Sequence, residues 1–424
     1  MRYSLLAVAA LLPACILGAD SRPPPPHDAA LNRDSRDRHH GQRGPEAGVQ
    51  DSALEEGSTI DGESSPDQAA DGWTSPDLAL DMGAGPDLAV DGGTSADLVA
   101  ADLASEVLGA DAQGGCAQAD NISVDKLPAI SFVAYHDQPQ IETYLQAVAS
   151  ALPAIATYKV LGQSAQGRNL PYLIIDATCQ ANPPAVFTIG THHGDEPSST
   201  ESVLAIPDYL LRASTTDASV RSLLGTYAFY VLPLVNPDGF ALNTRENAAG
   251  LDINRDYSYP LRSDADSFKT VEAQLMKSLQ ESVGFHAAIA YHSGAQEVIW
   301  PWCYTGDATA DGSFFTAAGQ KTAQAMSFTV YQQSYDDYPT QGEYIDYAYM
   351  RSHTLAATFE VSIPKAPSPA LLAGVVDAAW KGTLSWVQAV SDHDQGGLHA
   401  LPATAAARRR FPLTAPFDGT NRLE

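Results

Sequence analysis

Apolar runs alternate with amphipathic segments along the chain from about residue 117 onward. The apolar runs are short enough to be strands, and the amphipathic segments repeat at helical spacing. Strands buried on both faces and alternating with helices predict an α/β sheet covered by helices. The predicted strands cover residues 185–189, 227–235, 287–291 and 355–361, and the predicted helices cover residues 141–152, 202–211, 268–279, 314–325 and 371–390.

Polar motifs stand at the ends of the predicted strands, where the ligands of α/β sheets bind. The first motif occupies residues 190–196 and follows the strand at 185–189. His193 and Glu196 are three residues apart, so one tight turn can direct both side chains at a single cation. Imidazole and carboxylate are normal zinc ligands, although most matches of this length are plain polar loops. His192 is the alternative ligand.

Two arginines follow a turn motif in the next polar region. Residues 236–239 read Asn-Pro-Asp-Gly, which is turn chemistry. Arg245 and Arg255 lie downstream, and a guanidinium group suits a carboxylate or an oxyanion. An isolated arginine is more often a solvated surface group, so this pattern leaves both interpretations open.

Three further polar positions lie towards the end of the apolar pattern. His292 ends the strand at 287–291, where a lone histidine is more often structural than functional. Tyr338 opens a Tyr-Pro-Thr-Gln-Gly segment. Glu360 lies inside an apolar strand, and burying a carboxylate is costly unless it is paired or functional. Glu360 is therefore the most informative acid in the sequence.

Taken in order, these motifs resemble those of the zinc carboxypeptidase family typified by carboxypeptidase A. The resemblance covers about residues 130–390 and includes Tyr-His-Asp at 135–137. Tyr338 and Glu360 are 22 residues apart, as the family pattern expects. The resemblance implies a mixed, mostly parallel twisted sheet with helices on both faces. It also implies hydrolysis of the C-terminal peptide bond of peptides and proteins, by a zinc-bound water that a glutamate activates.

The resemblance also implies a role for each of ten residues. His193, Glu196 and His292 are the expected ligands of one zinc ion per chain, Asp252 orients the first histidine, Asn254 and Arg255 bind the terminal carboxylate of the substrate, Arg245 stabilises the oxyanion, Tyr338 closes over bound substrate, Ile345 lines the pocket for the terminal side chain, and Glu360 is the general base.

The expected pocket residue suggests a substrate preference. An apolar residue at position 345 favours apolar or aromatic terminal side chains. Glu343, Asp336 and Asp337 lie close in sequence and are candidates for the same pocket.

Charge excludes one class of partner. The chain carries 24 Lys+Arg against 51 Asp+Glu, a formal net charge of -27. Such a chain repels nucleic acid. No apolar run after residue 20 approaches the roughly 20 residues that span a bilayer, which argues against an integral membrane protein.

The first 19 residues predict a signal peptide. A basic start and a short apolar core are followed by Leu-Pro-Ala-Cys at residues 12–15, which resembles a lipoprotein cleavage box with Cys15 as the lipidated residue. Cleavage after Ala19 is the alternative. Export would place the catalytic domain outside the cytoplasm, in the cell envelope or secreted.

Residues 20–116 predict a disordered acidic linker. Fifteen acidic residues and no Lys, Arg or His lie between residues 51 and 115, with Pro-Asp repeated every ten residues. This composition has too little apolar surface to offset the entropy of ordering. A calcium site is disfavoured because the calcium-loop pattern is absent. Residues 117–395 form the predicted catalytic domain, and residues 396–424 are a C-terminal tail.

The number of cysteines limits the disulfides that the chain can form. If Cys15 is lipidated or removed, three cysteines remain, so at least one has no partner within the chain. Cys116 with Cys179 is a candidate disulfide, which leaves Cys303.

Three functions are open at this point. The first is an exported zinc carboxypeptidase. The second is an amidohydrolase on the same fold that acts on a cell-wall peptide or an acyl-amino acid. The third is an inactive surface binding protein, which would be expected to have lost a ligand or the base. No such position is lost in this sequence.

Overall fold

A computed structural model describes residues 119–395 of the chain. The predicted signal peptide with Cys15, the acidic linker and the C-terminal tail lie outside the described residues. Within this range no helix is both long and apolar enough to cross a membrane.

The first half of the described range contains five helices and four strands. They are α1 (Gln138–Ala151), β1 (Ala156–Gln163), β2 (Asn169–Ile175), β3 (Ala185–Ile189), α2 (Pro197–Leu204), α3 (Ile206–Thr216), α4 (Ala218–Thr226), β4 (Ala228–Leu232) and α5 (Pro237–Leu242).

The second half contains five more helices and four more strands. They are α6 (Val271–Val283), β5 (Ala287–His292), β6 (Gln296–Trp300), α7 (Gly312–Met326), β7 (Val330–Gln333), α8 (Ser334–Asp337), α9 (Tyr344–Ser352), β8 (Leu355–Val361) and α10 (Pro369–Gln395). Short 3₁₀ turns cover Ala119–Asn121, Ile253–Arg255 and Asp264–Asp266.

The eight strands of the described range form one mixed sheet. Their order is β1-β2-β4-β3-β5-β8-β6-β7. Strands β4, β3, β5 and β8 run parallel to one another in that order, and β6 pairs parallel with β7. The hairpin β1–β2, the β2–β4 pair and the β6–β8 pair are antiparallel. The sheet is therefore mixed and mostly parallel, which confirms the predicted fold class.

Two hydrophobic clusters lie on opposite faces of this sheet. Neighbouring residues of β3 divide between them, with Val186 in the first cluster and Phe187 in the second. Because side chains alternate across a strand, this division places one cluster on each face. The first cluster includes Trp386 of α10, and the second includes Met276 of α6. Helices thus cover both faces, as predicted.

The sequence pattern located strands β3, β4, β5 and β8 and missed strands β1, β2, β6 and β7. Strands β3 and β8 have the predicted bounds. The single helix predicted at 202–211 is instead α2 and α3, because Pro207 has no N–H group and belongs in the first turn of a new helix. Strand β1 was not predicted, since it is half exposed and mixes polar with apolar residues.

Two cysteines of the described range differ in state. Cys179 is disulfide-bonded, and Cys303 is buried and free. The predicted pairing of Cys179 with Cys116 stays a prediction, since Cys116 lies outside the described residues.

Candidate metal centre

Three donor side chains meet at the carboxyl ends of β3 and β5. His193 follows β3, Glu196 is the N-cap residue of α2, and His292 is the last residue of β5. Strands β3 and β5 are parallel neighbours, so these ends lie at the same edge of the sheet. One donor atom from each side chain lies within 4.8 Å of the others.

The geometry of this cluster fits zinc. Nδ1 of His193 lies 2.9 Å from Oε1 of Glu196 and 3.1 Å from Nδ1 of His292. All three residues are at most 4% exposed. Two imidazole nitrogens and a carboxylate that converge in a buried site form the donor set of a catalytic zinc, which leaves one position for water.

Asp252 links the first histidine to Arg245. Oδ1 of Asp252 lies 3.2 Å from Nε2 of His193, and Nε of Arg245 donates to Oδ2 of Asp252 at 3.0 Å. Burial raises the pKa of the Asp252 carboxyl group, but His193, Arg245 and Arg255 outweigh this effect and hold the pKa below its usual range. An ionised carboxylate at Nε2 leaves Nδ1 of His193 free to act as a ligand.

His192 takes no part in the three-residue cluster. Nε2 of its ring lies 3.0 Å from the Tyr257 hydroxyl group. The ring stacks on that of His292, with centroids 5.5 Å apart and an interplanar angle of 6°. Of the two adjacent histidines, the structure therefore brings His193 and not His192 into the cluster.

A close main-chain contact positions the loop that carries His193 and Glu196. A Cβ atom at Gly194 would overlap the carbonyl carbon of Gly239 in α5. The N–H group of Gly194 also donates to the carbonyl oxygen of Arg245 at 3.3 Å. This approach requires glycine at position 194.

Glu360 on β8 lies beside the cluster. It pairs in register with His292 on one side and with Glu297 of β6 on the other. Its Oε2 atom is buried and has no hydrogen-bond partner among the described residues. Burial raises the pKa of Glu360, and the carboxylate of Glu196 raises it further. The carboxyl group is thus placed to exchange a proton beside the metal centre.

A pocket opens from the metal centre towards α8 and α9. Arg255 reaches into it, where its Nη1 donates to Oε1 of Glu343 at 3.1 Å and its Nη2 donates to the Tyr338 hydroxyl group at 3.4 Å. Tyr338 is 55% exposed. The lining residues are His193, Asn254, Arg255, His292, Ile299, Ser334, Asp337, Tyr338, Glu343, Thr358 and Glu360.

These positions can be compared with those of known proteins. The sequence profile described as zinc carboxypeptidase matches residues 141–382, more than half of the chain. The chain belongs to the zinc carboxypeptidase family. The cluster of His193, Glu196 and His292 can hold the one zinc ion that this family uses.

Several curated carboxypeptidases resemble the chain over part of their length. Carboxypeptidase M of Mus musculus is 24% identical over 270 residues, which are 55% of this chain and 60% of that protein. Carboxypeptidase E of Caenorhabditis elegans is 34% identical over 139 residues, 29% of each protein. The chain spans about half the length of the curated relatives it matches.

Solved structures share the fold of this zinc carboxypeptidase domain. Carboxypeptidase A from Helicoverpa armigera superposes with a TM-score of 0.57 at 19% identity, covering 70% of this chain and 81% of that one. Thrombin-activatable fibrinolysis inhibitor gives a TM-score of 0.58 at 17% identity, covering 65% of this chain and 79% of that one. At these identities the likeness establishes the fold alone.

Ile345 lies elsewhere than this family resemblance predicts. It is 1% exposed and belongs to the second hydrophobic cluster, and it does not line the pocket among the described residues. Glu343 is the N-cap residue of α9, and Ile345 lies two positions later on that helix. Successive helical residues point about 100° apart, so these two side chains face different ways. The structure places Glu343 and Asp337 in the pocket instead.

The sequence patterns missed one basic residue at the metal centre. Nζ of Lys365 donates to Oδ2 of Asp195 at 2.7 Å and lies 3.4 Å from Oε1 of Glu196. Lys365 lies four residues beyond the end of β8. The sequence signal that could have identified Lys365 is its position shortly after β8, the strand that carries Glu360. Polar residues beyond a strand end can reach a site at that end.

Proposed function

We propose that this protein is an exported zinc carboxypeptidase that removes the C-terminal residue of peptides and proteins. The observation that carries the proposal is the meeting of a His-Glu-His cluster, a largely buried glutamate and an arginine at one pocket. A degenerate copy with a binding role only would be expected to lack at least one of these groups.

His193, Glu196 and His292 would hold the metal ion. When bound there, zinc polarises the scissile carbonyl group and makes a water molecule more acidic. Of the side chains around the cluster, Glu360 and Arg245 are proposed to act directly on the reacting atoms.

Glu360 is the proposed general base. It takes a proton from the attacking water and delivers it to the leaving amine. Its place next to His292 on the paired strand puts it at the metal centre, and its raised pKa makes its carboxylate a stronger proton acceptor. Arg245 donates to the carbonyl oxygen as negative charge develops there, a contribution typically worth about 10²–10³ in rate.

Arg255 and Asn254 are the proposed binding pair for the terminal carboxylate. A guanidinium fork binds a carboxylate through two parallel hydrogen bonds. Because the fork lies in the same pocket as the metal cluster, a chain end fixed on Arg255 presents its last peptide bond to that cluster. Tyr338 already contacts Arg255 and closes over the bound chain end.

The test of this activity uses the purified full chain and a mixed peptide library. We expect loss of single C-terminal residues, abolished by a zinc chelator and restored by zinc, with products read by mass spectrometry. Peptides that remain intact while zinc is bound would contradict the proposal. Cell-wall peptides and acyl-amino acids would then be the substrates to test.

Export rests on the N-terminal sequence and on one disulfide. Residues 1–19 have the pattern of a signal peptide, and Cys15 is the proposed lipid anchor. Cys179 is disulfide-bonded, a state typical of oxidising compartments.

Expression of the full chain in a bacterium, followed by fractionation, should place it in the membrane fraction with a diacylglyceryl group. Cys15→Ser should abolish that modification. Retention of residues 1–19 on a cytoplasmic product would contradict export.

A further inference from the structure

Tyr135 and His136 precede α1 and hold two parts of the chain that contact the metal ligand Glu196. They belong to the Tyr-His-Asp motif at 135–137, and the proposed mechanism uses none of its three residues. His136 contacts Glu201 of α2. Tyr135 contacts the segment that follows β8, residues 362–367. The motif is therefore a candidate for a role outside the chemical step.

His136 forms a double contact with a buried carboxylate. Oε1 of Glu201 accepts the main-chain N–H group of His136 at 2.6 Å, and Oε2 lies 2.7 Å from Nδ1 of the ring. Glu201 is 1% exposed, and no Lys or Arg within residues 119–395 pairs with it. A buried charge is costly unless it is paired. The ring of His136 is therefore the group that can compensate the charge of Glu201.

The helix that carries Glu201 begins at a metal ligand. Glu196 is the N-cap residue of α2, and Glu201 lies five residues further along the same short helix. No side-chain hydrogen bond caps the start of this helix, and its residues 198–204 are buried. A closely packed helix transmits a displacement along its length. A contact at Glu201 therefore bears on the position of Glu196.

Tyr135 holds the second part of the chain. Its hydroxyl group donates to the carbonyl oxygen of Pro367 at 2.7 Å. Two residues earlier in this segment, Nζ of Lys365 lies 3.4 Å from Oε1 of Glu196. The carbonyl oxygen of Lys365 accepts from Oγ of Ser293, the residue that follows the third metal ligand, at 2.9 Å. Tyr135 thus supports the opposite approach to Glu196.

The two contacts differ in their response to pH. The charged groups that face the His136 ring are Glu201 and the adjacent Asp137, and the hydrogen bond from Glu201 raises the pKa of His136 against the effect of burial. Burial and the charge of Glu201 raise the pKa of Tyr135 to about 12, so its hydroxyl group remains a donor near neutral pH. The contribution of a histidine with a raised pKa is complete below about pH 6.5, its unfolded pKa. It is lost as the pH rises through the folded pKa.

We propose that His136 is a positioning residue of the metal centre, and that its ion pair with Glu201 makes the retention of zinc depend on pH. While His136 is protonated, the pair fixes α2 and with it Glu196. Loss of the proton from Nε2 leaves the hydrogen bond from Nδ1 but removes its charge, and charge-assisted hydrogen bonds are the stronger kind. The inference concerns the zinc site and does not depend on which substrate is cleaved.

The first test measures zinc loss from the full chain. Zinc-loaded protein is mixed with an excess of EDTA, and the rate of zinc release is followed from pH 6 to pH 9. His136→Asn keeps an N–H donor near the position of Nδ1 and removes the titrating charge. We expect this variant to lose zinc about fivefold faster than the unmodified protein at pH 6, and equally fast at pH 9. The ratio of the two rates cancels protonation of the metal ligands, which both proteins share.

Two further variants separate the contacts. Tyr135→Phe removes the hydroxyl group and should speed zinc loss by the same factor at every pH. His353→Asn is the matched control, because His353 lies 2.6 Å from Oδ2 of Asp311 in a second histidine–carboxylate pair, which joins the end of α9 to the start of α7. It should leave the rate of zinc loss unchanged. Urea denaturation of the metal-free proteins reports whether each variant folds.

The outcomes test the ion pair and the positioning role separately. Titration of the His136 ring by NMR should give a pKa above about 6.5, and a value at or below this would overturn the ion pair. If His136→Asn lowers stability but its ratio of zinc-loss rates stays at one, the residue is structural only and the positioning role is overturned. A raised ratio that is equal at pH 6 and pH 9 would overturn the pH dependence. Protein that binds no zinc would overturn the metal centre, and this inference with it.

Discussion

Glu297 of β6 and Glu360 of β8 occupy paired positions on adjacent antiparallel strands. Like charges directly opposite each other are unfavourable, and both carboxyl groups are largely removed from water. Burial raises the pKa of each. The Glu297 charge also contributes to the raised pKa of Glu360, so the proposed base has a neighbour that makes its proton easier to retain.

Replacement of Glu360 tests the base directly. Glu360→Gln keeps the size of the side chain and removes its proton-accepting group, so kcat should fall by about 10²–10⁴. KM and zinc content should change little. The measurement is steady-state kinetics together with metal analysis. Unchanged kcat in a zinc-loaded variant would exclude Glu360 as the base.

Replacement of Glu297 tests the electrostatic coupling of the pair. Glu297→Gln removes a negative neighbour, so the pKa of Glu360 should fall. Because the base must be deprotonated, the acidic limb of the profile of kcat/KM against pH should move to lower pH. Gln332 donates to Glu297 and can equally donate to a glutamine oxygen. A limb that stays in place would show that Glu297 does not influence the base.

Asp252 should control metal affinity without binding the metal. Asp252→Asn removes the carboxylate that contacts His193 and Arg245, so zinc should bind about 10–100-fold more weakly. Zinc titration with a competing chelator measures this change. The control Asp266→Asn removes the same charge at an exposed turn and should leave zinc affinity unchanged. Equal affinities in both variants would contradict the positioning role.

Asp346 predicts a pH-dependent stability. It is fully buried and accepts from the Cys303 N–H group, and burial raises its pKa to about 7. A raised carboxyl pKa means that the fold favours the protonated form. The stabilisation that Asp346 contributes to the folded state is complete below about pH 3.9, the pKa of this group in the unfolded chain. It is lost as the pH rises towards 7.

Asp346→Asn has no group that titrates at this position. Relative to the unmodified protein, its free energy of unfolding should therefore rise between pH 4 and pH 8, by at most about 4 kcal/mol. Urea denaturation of metal-free protein at several pH values measures the difference. The exposed-site variant Asp336→Asn should show no comparable trend. A flat difference for Asp346→Asn would contradict a raised pKa at this residue.

Gly194 should tolerate no side chain. In Gly194→Ala the new methyl group would overlap the main chain of Gly239, so stability should fall by about 1–3 kcal/mol and zinc should bind more weakly. Gly374→Ala is the control, since that glycine lies in α10 with open space around it. It should be neutral or slightly stabilising. Thermal denaturation and zinc titration distinguish the two variants, and equal behaviour would refute the contact.

Residues at strand ends were predictable, whereas residues whose orientation depends on a helix were not. His193 and His292 end or follow apolar strands, and parallel pairing brings such positions together. The residues that line the pocket depend on the position at which α9 begins. In this helix the side chain of Glu343 faces Arg255, and the side chain of Ile345 packs in the core. The spacing of residues in the sequence does not show which way each side chain of this helix faces. Lys365 was missed because its partner Asp195 is 170 residues away.

The contact between Gly194 and Gly239 supports the loop of the metal ligands from the side of α5. It brings two stretches of main chain together with no side chain between them, so this support of the loop needs neither acid of the pocket. Asp337 and Glu343 lie on α8 and at the start of α9, outside that contact. Substitutions of these two acids should therefore leave this main-chain contact in place.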